Sequence, residues 1–147
     1  MIYQDTVTLF TRQESREGDT WYSTILHNVH LTVDRAALIA KYGPETQDAA
    51  LLNVRCQTVD GETWVGSKRW LPPKMWTQTD DPENTITFTD GTRFDFFVKG
   101  EYEGIFRDAD YNGGFYAHMN RNHDYVFAIT AVGGPYKLIP HFEIMGK

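Results

Sequence analysis

The chain has one cysteine, Cys56, no long apolar run and no surplus of positive charge, and each shortage removes a class of explanation. A single thiol cannot close an intrachain disulfide, so nothing in the sequence requires an oxidising compartment. Cys56 lies within an alternating segment, where a small buried hydrophobe is its expected role. No stretch approaches the roughly 20 apolar residues of a membrane-spanning helix. The N-terminal MIYQD carries neither the basic nor the apolar region of a secretory signal. The net charge of −6 argues against a surface built to neutralise many phosphates. Reactive-site signatures are scarce too. Ser15, Ser23 and Ser67 stand outside any GxSxG context, no HExxH occurs, and neither Gly113-Gly114 nor Gly133-Gly134 opens a phosphate-binding loop.

What the chain does contain is alternation. Trp21, Ile25, Val29, Leu31 and Val33 occupy odd positions, with polar residues between most of them. A period of two predicts a strand with its apolar set on one face. His27-Asn28 marks a kink or a bulge within it. The same texture predicts strands at 6–12, 51–59, 63–65, 126–132 and 137–145. A hairpin is expected over 85–98 across Asp90-Gly91, and a last hairpin turns at 133–136. Asp60-Gly61 is a further tight-turn signal. The good helix signal lies at 34–44, where Asp34 can cap, and Gly43 with Pro44 can stop, a short helix. Two adjacent prolines, Pro72 and Pro73, place 70–76 on an edge or in a connection. With 147 residues, of which 14% are aromatic, the chain is long enough for a real core. The expected architecture is one all-β domain over 1–147, mainly antiparallel: a small barrel or Greek-key sandwich with one short helix and long loops.

Candidate chemistry is thin. Asp108, Asp110, Asn112 and Gly113 match the opening of a calcium-binding loop, but its twelfth position, which should supply a glutamate, is Met119. His118 and His123 have a zinc-like spacing without a cysteine pair beside them. Asp80-Asp81 and Glu101 with Glu103 read as solvated acids. Lys68-Arg69-Trp70 and Lys74-Met75-Trp76 interleave bases with aromatics, as single-strand nucleic-acid binders do, and an assembly interface or a core edge explains them equally well. No catalytic, cofactor-binding or metal-binding residues are assigned.

Three blocks carry a resemblance: YQDTVTL over 3–9, WYSTILHNV over 21–29, Ala36-Ala37 and QDA over 47–49; LPPK over 71–74 with Trp76, FTDG over 88–91 and DFFVKG over 95–100; and VFAITAV over 126–132 with HFEIMGK over 141–147. Their order resembles the minor capsid, or head–tail connector, proteins of tailed phages and prophages of Gram-positive bacteria, and most closely the stopper, or head-completion, proteins of the neck. The stretch 102–122 is longer than that pattern expects. The resemblance implies a β-barrel subunit, made in the host bacterial cytoplasm and built into the virion neck as a homo-oligomeric ring. Such a ring lies between the portal-side adaptor and the tail terminator, retains packaged DNA, and lets it pass without sequence-specific binding, with no membrane, enzyme activity or cofactor involved. By position, Lys41, Tyr42, Gly43, Pro44, Glu45 and Thr46 are candidates for a channel gate. Trp70, Leu71, Pro72, Pro73 and Trp76 are candidates for a subunit interface, although a barrel core would account for the tryptophans too. The alternatives left open are a tail terminator or tail-completion protein, a phage-encoded inhibitor of a host enzyme, and a metal-dependent enzyme using Asp108–Asn112 and the scattered histidines.

Overall fold

In β1 (Asp5–Gln13), Val7, Thr8, Leu9, Phe10 and Thr11 are all buried, so this strand is covered on both faces. That double covering explains the architecture of the computed structural model, which describes residues 1–34, 49–89 and 95–147. The remaining strands are β2 (Thr20–Val33), β3 (Ala50–Arg55), β4 (Gln57–Val59), β5 (Glu62–Val65), β6 (Lys68–Trp70), β7 (Thr85–Ile86), β8 (Phe96–Lys99), β9 (Ile105–Arg107), β10 (Val126–Tyr136) and β11 (His141–Gly146). They are joined by helix α1 (Pro73–Trp76), a 3-10 turn over Asp108–Asp110 and helix α2 (Phe115–Asn122).

The main sheet runs β1-β8-β10-β11-β3-β2, and β1 pairs again with β2, closing a six-stranded antiparallel barrel. Closure removes the free edges that an open sheet would leave. The lumen is filled, not open: Val7, Leu9, Leu26, Val29, Leu52, Val54, Phe97, Phe127, Ile129, Phe142 and Ile144 belong to one buried cluster. The small sheet β4-β5-β6-β7 adds Val65 and Ile86 to that cluster, and Phe88, just beyond β7, joins them. A second cluster covers the outside of the wall. There Phe10, Trp21, Phe96, Val98 and Val126 pack beneath Phe115 and Met119 of α2.

The bulge signal in β2 is borne out, with a consequence for the strand's faces. Val7 pairs with Leu26 but Asp5 with Val29, so β2 holds an extra residue at His27-Asn28, and Asn28 has φ of 56°. The extra residue reverses the parity of the strand. Before the bulge, Leu26 joins the lumen cluster while Trp21 faces the outer layer; after it, Val29 is in the lumen and Leu31 and Val33 pack against it. The odd-numbered set is therefore divided between two cores, which corrects the single apolar face expected from the sequence.

Other expectations need correction. The predicted strand over 51–59 is cut at Cys56: β3 joins the barrel and β4 the small sheet. The two arms of the predicted 85–98 hairpin lie in different sheets. Ile86 pairs in parallel with Trp70, whereas β8 sits between β1 and β10, because both faces of β8 are buried and need a central position. The intervening Asp90-Gly91 lies outside the described residues. The last hairpin turns after Tyr136, since β10 continues through Gly133, Gly134 and Pro135 with a register shift. The Asp60-Gly61 turn forms as expected: Val59 faces Glu62, and both turn residues have positive φ, as a two-residue hairpin connection requires. Pro72 and Pro73 lead into the single turn of α1, where a proline at the first helical position leaves no hydrogen bond unmade. The helix signal at 34–44 and the gate candidates Lys41, Tyr42, Gly43, Pro44, Glu45 and Thr46 fall outside the described residues.

Helix α2 was not expected. His118, Asn120 and Asn122 are modest helix formers, and Gly114 precedes the first turn. The one available signal was Phe115 and Met119, four residues apart, which are the two residues the helix buries.

Candidate functional site

Asp108, the first acid of the calcium-like motif, is committed to the fold. Its Oδ1 accepts hydrogen bonds from the Trp21 indole N–H and the Phe115 backbone N–H, both at 2.9 Å. The first fixes the largest aromatic of the outer layer, and the second satisfies a donor at the start of α2. Met119, at the twelfth position of the motif, is in the core. Among the described residues no group of three or more histidine, cysteine or acidic side chains converges as a metal site. The histidines are dispersed. His123 meets the Tyr102 hydroxyl, His118 lies against Tyr111, His27 faces Glu101, His30 meets the Ile2 carbonyl, and His141 meets the Ile139 carbonyl.

The other polar candidates also have structural partners. The Ser23 hydroxyl donates to the Gly104 carbonyl and accepts from the Gly104 N–H, each at 2.8 Å, and so bridges β2 to the segment before β9. Asp81 accepts from Asn84 at 2.9 Å and from Thr85 at 2.7 Å, closing the turn before β7. Buried Asp95 accepts from the Arg12 N–H and the Thr89 hydroxyl, both at 3.0 Å.

The proposed interface segment is divided by burial. Trp76 and Leu71 are buried within the chain's own core, and Trp70 packs on Phe142 with ring centroids 5.3 Å apart. Pro72 and Met75 are the exposed members of 70–76 that a contact could use as apolar surface. The core therefore accounts for both tryptophans, which the sequence left undecided.

Two surface features remain. The first is a groove of about 490 Å³ between β2 and the β5–β6 turn, with Ile25, Leu26, Val29, Val54 and Val65 among its apolar lining. Lys68 stands on its rim and also borders a neighbouring cleft with Glu83 and Glu103. Its ammonium donates to Thr24 Oγ1 at 2.9 Å and to the Ser23 carbonyl at 3.2 Å. Burial pulls the Lys68 pKa down, and the carboxylates of Glu83, Glu103 and Asp81 oppose that effect.

The second feature is the tip of the β10–β11 hairpin, where Leu138 is 97% exposed and Ile139 68% exposed. Sequence reasoning placed 137–145 in a strand and missed this apolar tip. The signal was Lys137-Leu138-Ile139-Pro140, in which proline ends the run before pairing resumes at His141.

A closed six-stranded antiparallel barrel with a filled lumen, an aromatic outer layer and an exposed apolar tip places the molecule among small all-β barrel proteins. The chain belongs to DUF6751, a family of unknown function, whose family model matches residues 2–147. No curated protein and no solved structure matches it. Among the described residues, no helix is long and apolar enough to cross a membrane.

Proposed function

We propose that the protein is a structural component of a tailed-phage particle, a connector subunit that forms a ring between the portal-side adaptor and the tail and retains packaged DNA. The observation that carries this reading is the agreement between the three-block resemblance and a closed β-barrel, the subunit architecture which that resemblance implies. Because Leu9, Leu52, Phe97, Phe127 and Phe142 fill the barrel, no polymer threads through one subunit, and the DNA channel is the space enclosed by several copies. A net charge of −6 suits a channel wall that lets phosphates slide past without holding them. In this role the chain makes and breaks no covalent bond.

The test is cryo-electron microscopy of phage particles whose genome encodes this chain. Density for the barrel as a ring at the head–tail junction is the expected result. Particles that lack the chain, or carry it elsewhere than the neck, would overturn the reading. Salt-sensitive DNA binding by the isolated protein would count against a non-adhesive channel wall.

A further inference from the structure

We infer that Asn112 is a site of self-modification: the Gly113 amide nitrogen closes on its side chain to form a cyclic imide, assisted by the Arg121 guanidinium. The site is independent of the connector reading.

Of the asparagines in the chain, Asn112 alone precedes a glycine; Asn28, Asn53, Asn84, Asn120 and Asn122 precede larger residues. Glycine matters there because a side chain would crowd the approach of its nitrogen to the asparagine Cγ. Asn112 and Gly113 are both exposed, in the turn between Asp108–Asp110 and α2, and Gly113 has φ of 83°. The turn is held at its flanks. The Tyr111 N–H donates to the Asp108 carbonyl at 3.2 Å, and the Gly114 N–H to the Tyr111 carbonyl at 2.9 Å. The reacting groups are not held. Among the described residues, neither the Gly113 N–H nor the Asn112 side-chain amide has a hydrogen-bond partner.

The Asn112 carbonyl, by contrast, accepts from Arg121 Nη2 at 3.1 Å. That oxygen and the Gly113 nitrogen belong to one conjugated peptide group. When the nitrogen loses its proton, negative charge spreads to the oxygen, so a guanidinium there stabilises the anion that attacks. The Gly113 nitrogen then bonds to Asn112 Cγ, the Cγ–Nδ2 bond breaks, and ammonia leaves, with solvent returning the proton lost from Gly113. Water reopens the imide. Cleavage at Cγ gives an ordinary aspartate, and cleavage at the main-chain carbonyl gives a β-linked one. Either product adds a carboxylate to a turn that already carries Asp108 and Asp110. The β-linked product also lengthens the main chain just before Gly114, where α2 starts to cover the outer core.

The test is to incubate the full-length folded protein in mildly alkaline buffer and follow each asparagine by peptide mass spectrometry, with fragmentation that separates the two aspartate linkages. Asn112 should convert faster than any other asparagine and yield both linkages. Arg121→Gln should slow that conversion about three- to fivefold, the contribution of one exposed charge, and Arg121→Lys should restore part of the rate. A merely structural role for Arg121 gives the opposite sign, because a loosened turn reaches the attacking geometry more readily. In denaturant the parent and Arg121→Gln proteins should react alike. An Asn112 that stays intact in the folded protein while the denatured protein converts would overturn the inference. So would faster conversion at any other asparagine, or an Arg121→Gln protein that converts as fast as the parent or faster.

Discussion

The indole N–H of Trp21 donates to Asp108 Oδ1 at 2.9 Å, linking residues 87 positions apart. The same oxygen accepts from the Phe115 N–H, so one carboxylate ties the barrel wall to the helix that covers it. The stretch 102–122, which exceeds the connector pattern, is thus part of a second core and not a free appendage. Asp108→Ala should destabilise the protein by about 1–3 kcal/mol, because it strands a buried indole donor and removes the acceptor for the Phe115 N–H. Asp108→Asn, which keeps an acceptor oxygen, should recover part of the loss. Urea unfolding followed by tryptophan fluorescence measures both.

The bulge at His27-Asn28 makes its own prediction. Asn28 has φ of 56°, a left-handed conformation that asparagine and glycine tolerate and β-branched residues resist. Asn28→Gly should be close to neutral, whereas Asn28→Val should cost about 1–2 kcal/mol. An Asn28→Val protein as stable as the parent would show that β2 can pass from β1 to β3 without this turn of the backbone.

Burial pushes the Cys56 thiol above its ordinary pKa, which lowers its thiolate fraction near neutral pH. In the native protein it should react with an aromatic disulfide reagent more slowly than in denaturant. Equal rates in the two states would place Cys56 in a more open or more electropositive setting than the structure gives it.

His141 links the hairpin tip to pH. Its pKa is raised, first by the hydrogen bond to the Ile139 carbonyl; burial, next in size, opposes the rise, and Glu143, 3.3 Å from Nε2, adds to it. A raised folded-state pKa favours the protonated fold. The associated stability is fully present below the unfolded value of about 6.5 and fades as pH rises through the folded-state value. An NMR titration should place the His141 midpoint above that of a model histidine, and Glu143→Gln should bring it down. A midpoint unmoved by Glu143→Gln would assign the shift to the carbonyl alone.

Much of the local structure was legible because it depends on near neighbours. Alternating residues in 6–12 and 126–132 gave strands, Asp60-Gly61 gave its turn, and His27-Asn28 gave a bulge. What that bulge does was not legible: a single extra residue moves every later side chain of β2 to the opposite face, and the pattern of odd positions looks unbroken on either side of it. The candidate site was less visible still. Lys68 reads as one base in a basic-aromatic cluster until β2 is brought against it, and Leu138 and Ile139 read as strand interior until Pro140 and the register of β11 leave them outside.

By itself, then, the sequence determined that this chain is built from short antiparallel strands held by an aromatic-rich core, because a period of two and the chemistry of tight turns act over a few residues. Only the tertiary structure decided that the sheet closes on itself through β1 and β2, that Trp21 and Val29 enter different cores, and that a helix after Gly114 completes the second. Those outcomes depend on pairings between residues far apart in the chain, such as His141 with Arg55 and Phe97 with Phe127. Alternation records that two faces exist; the partner across the ladder decides which of them is the inside.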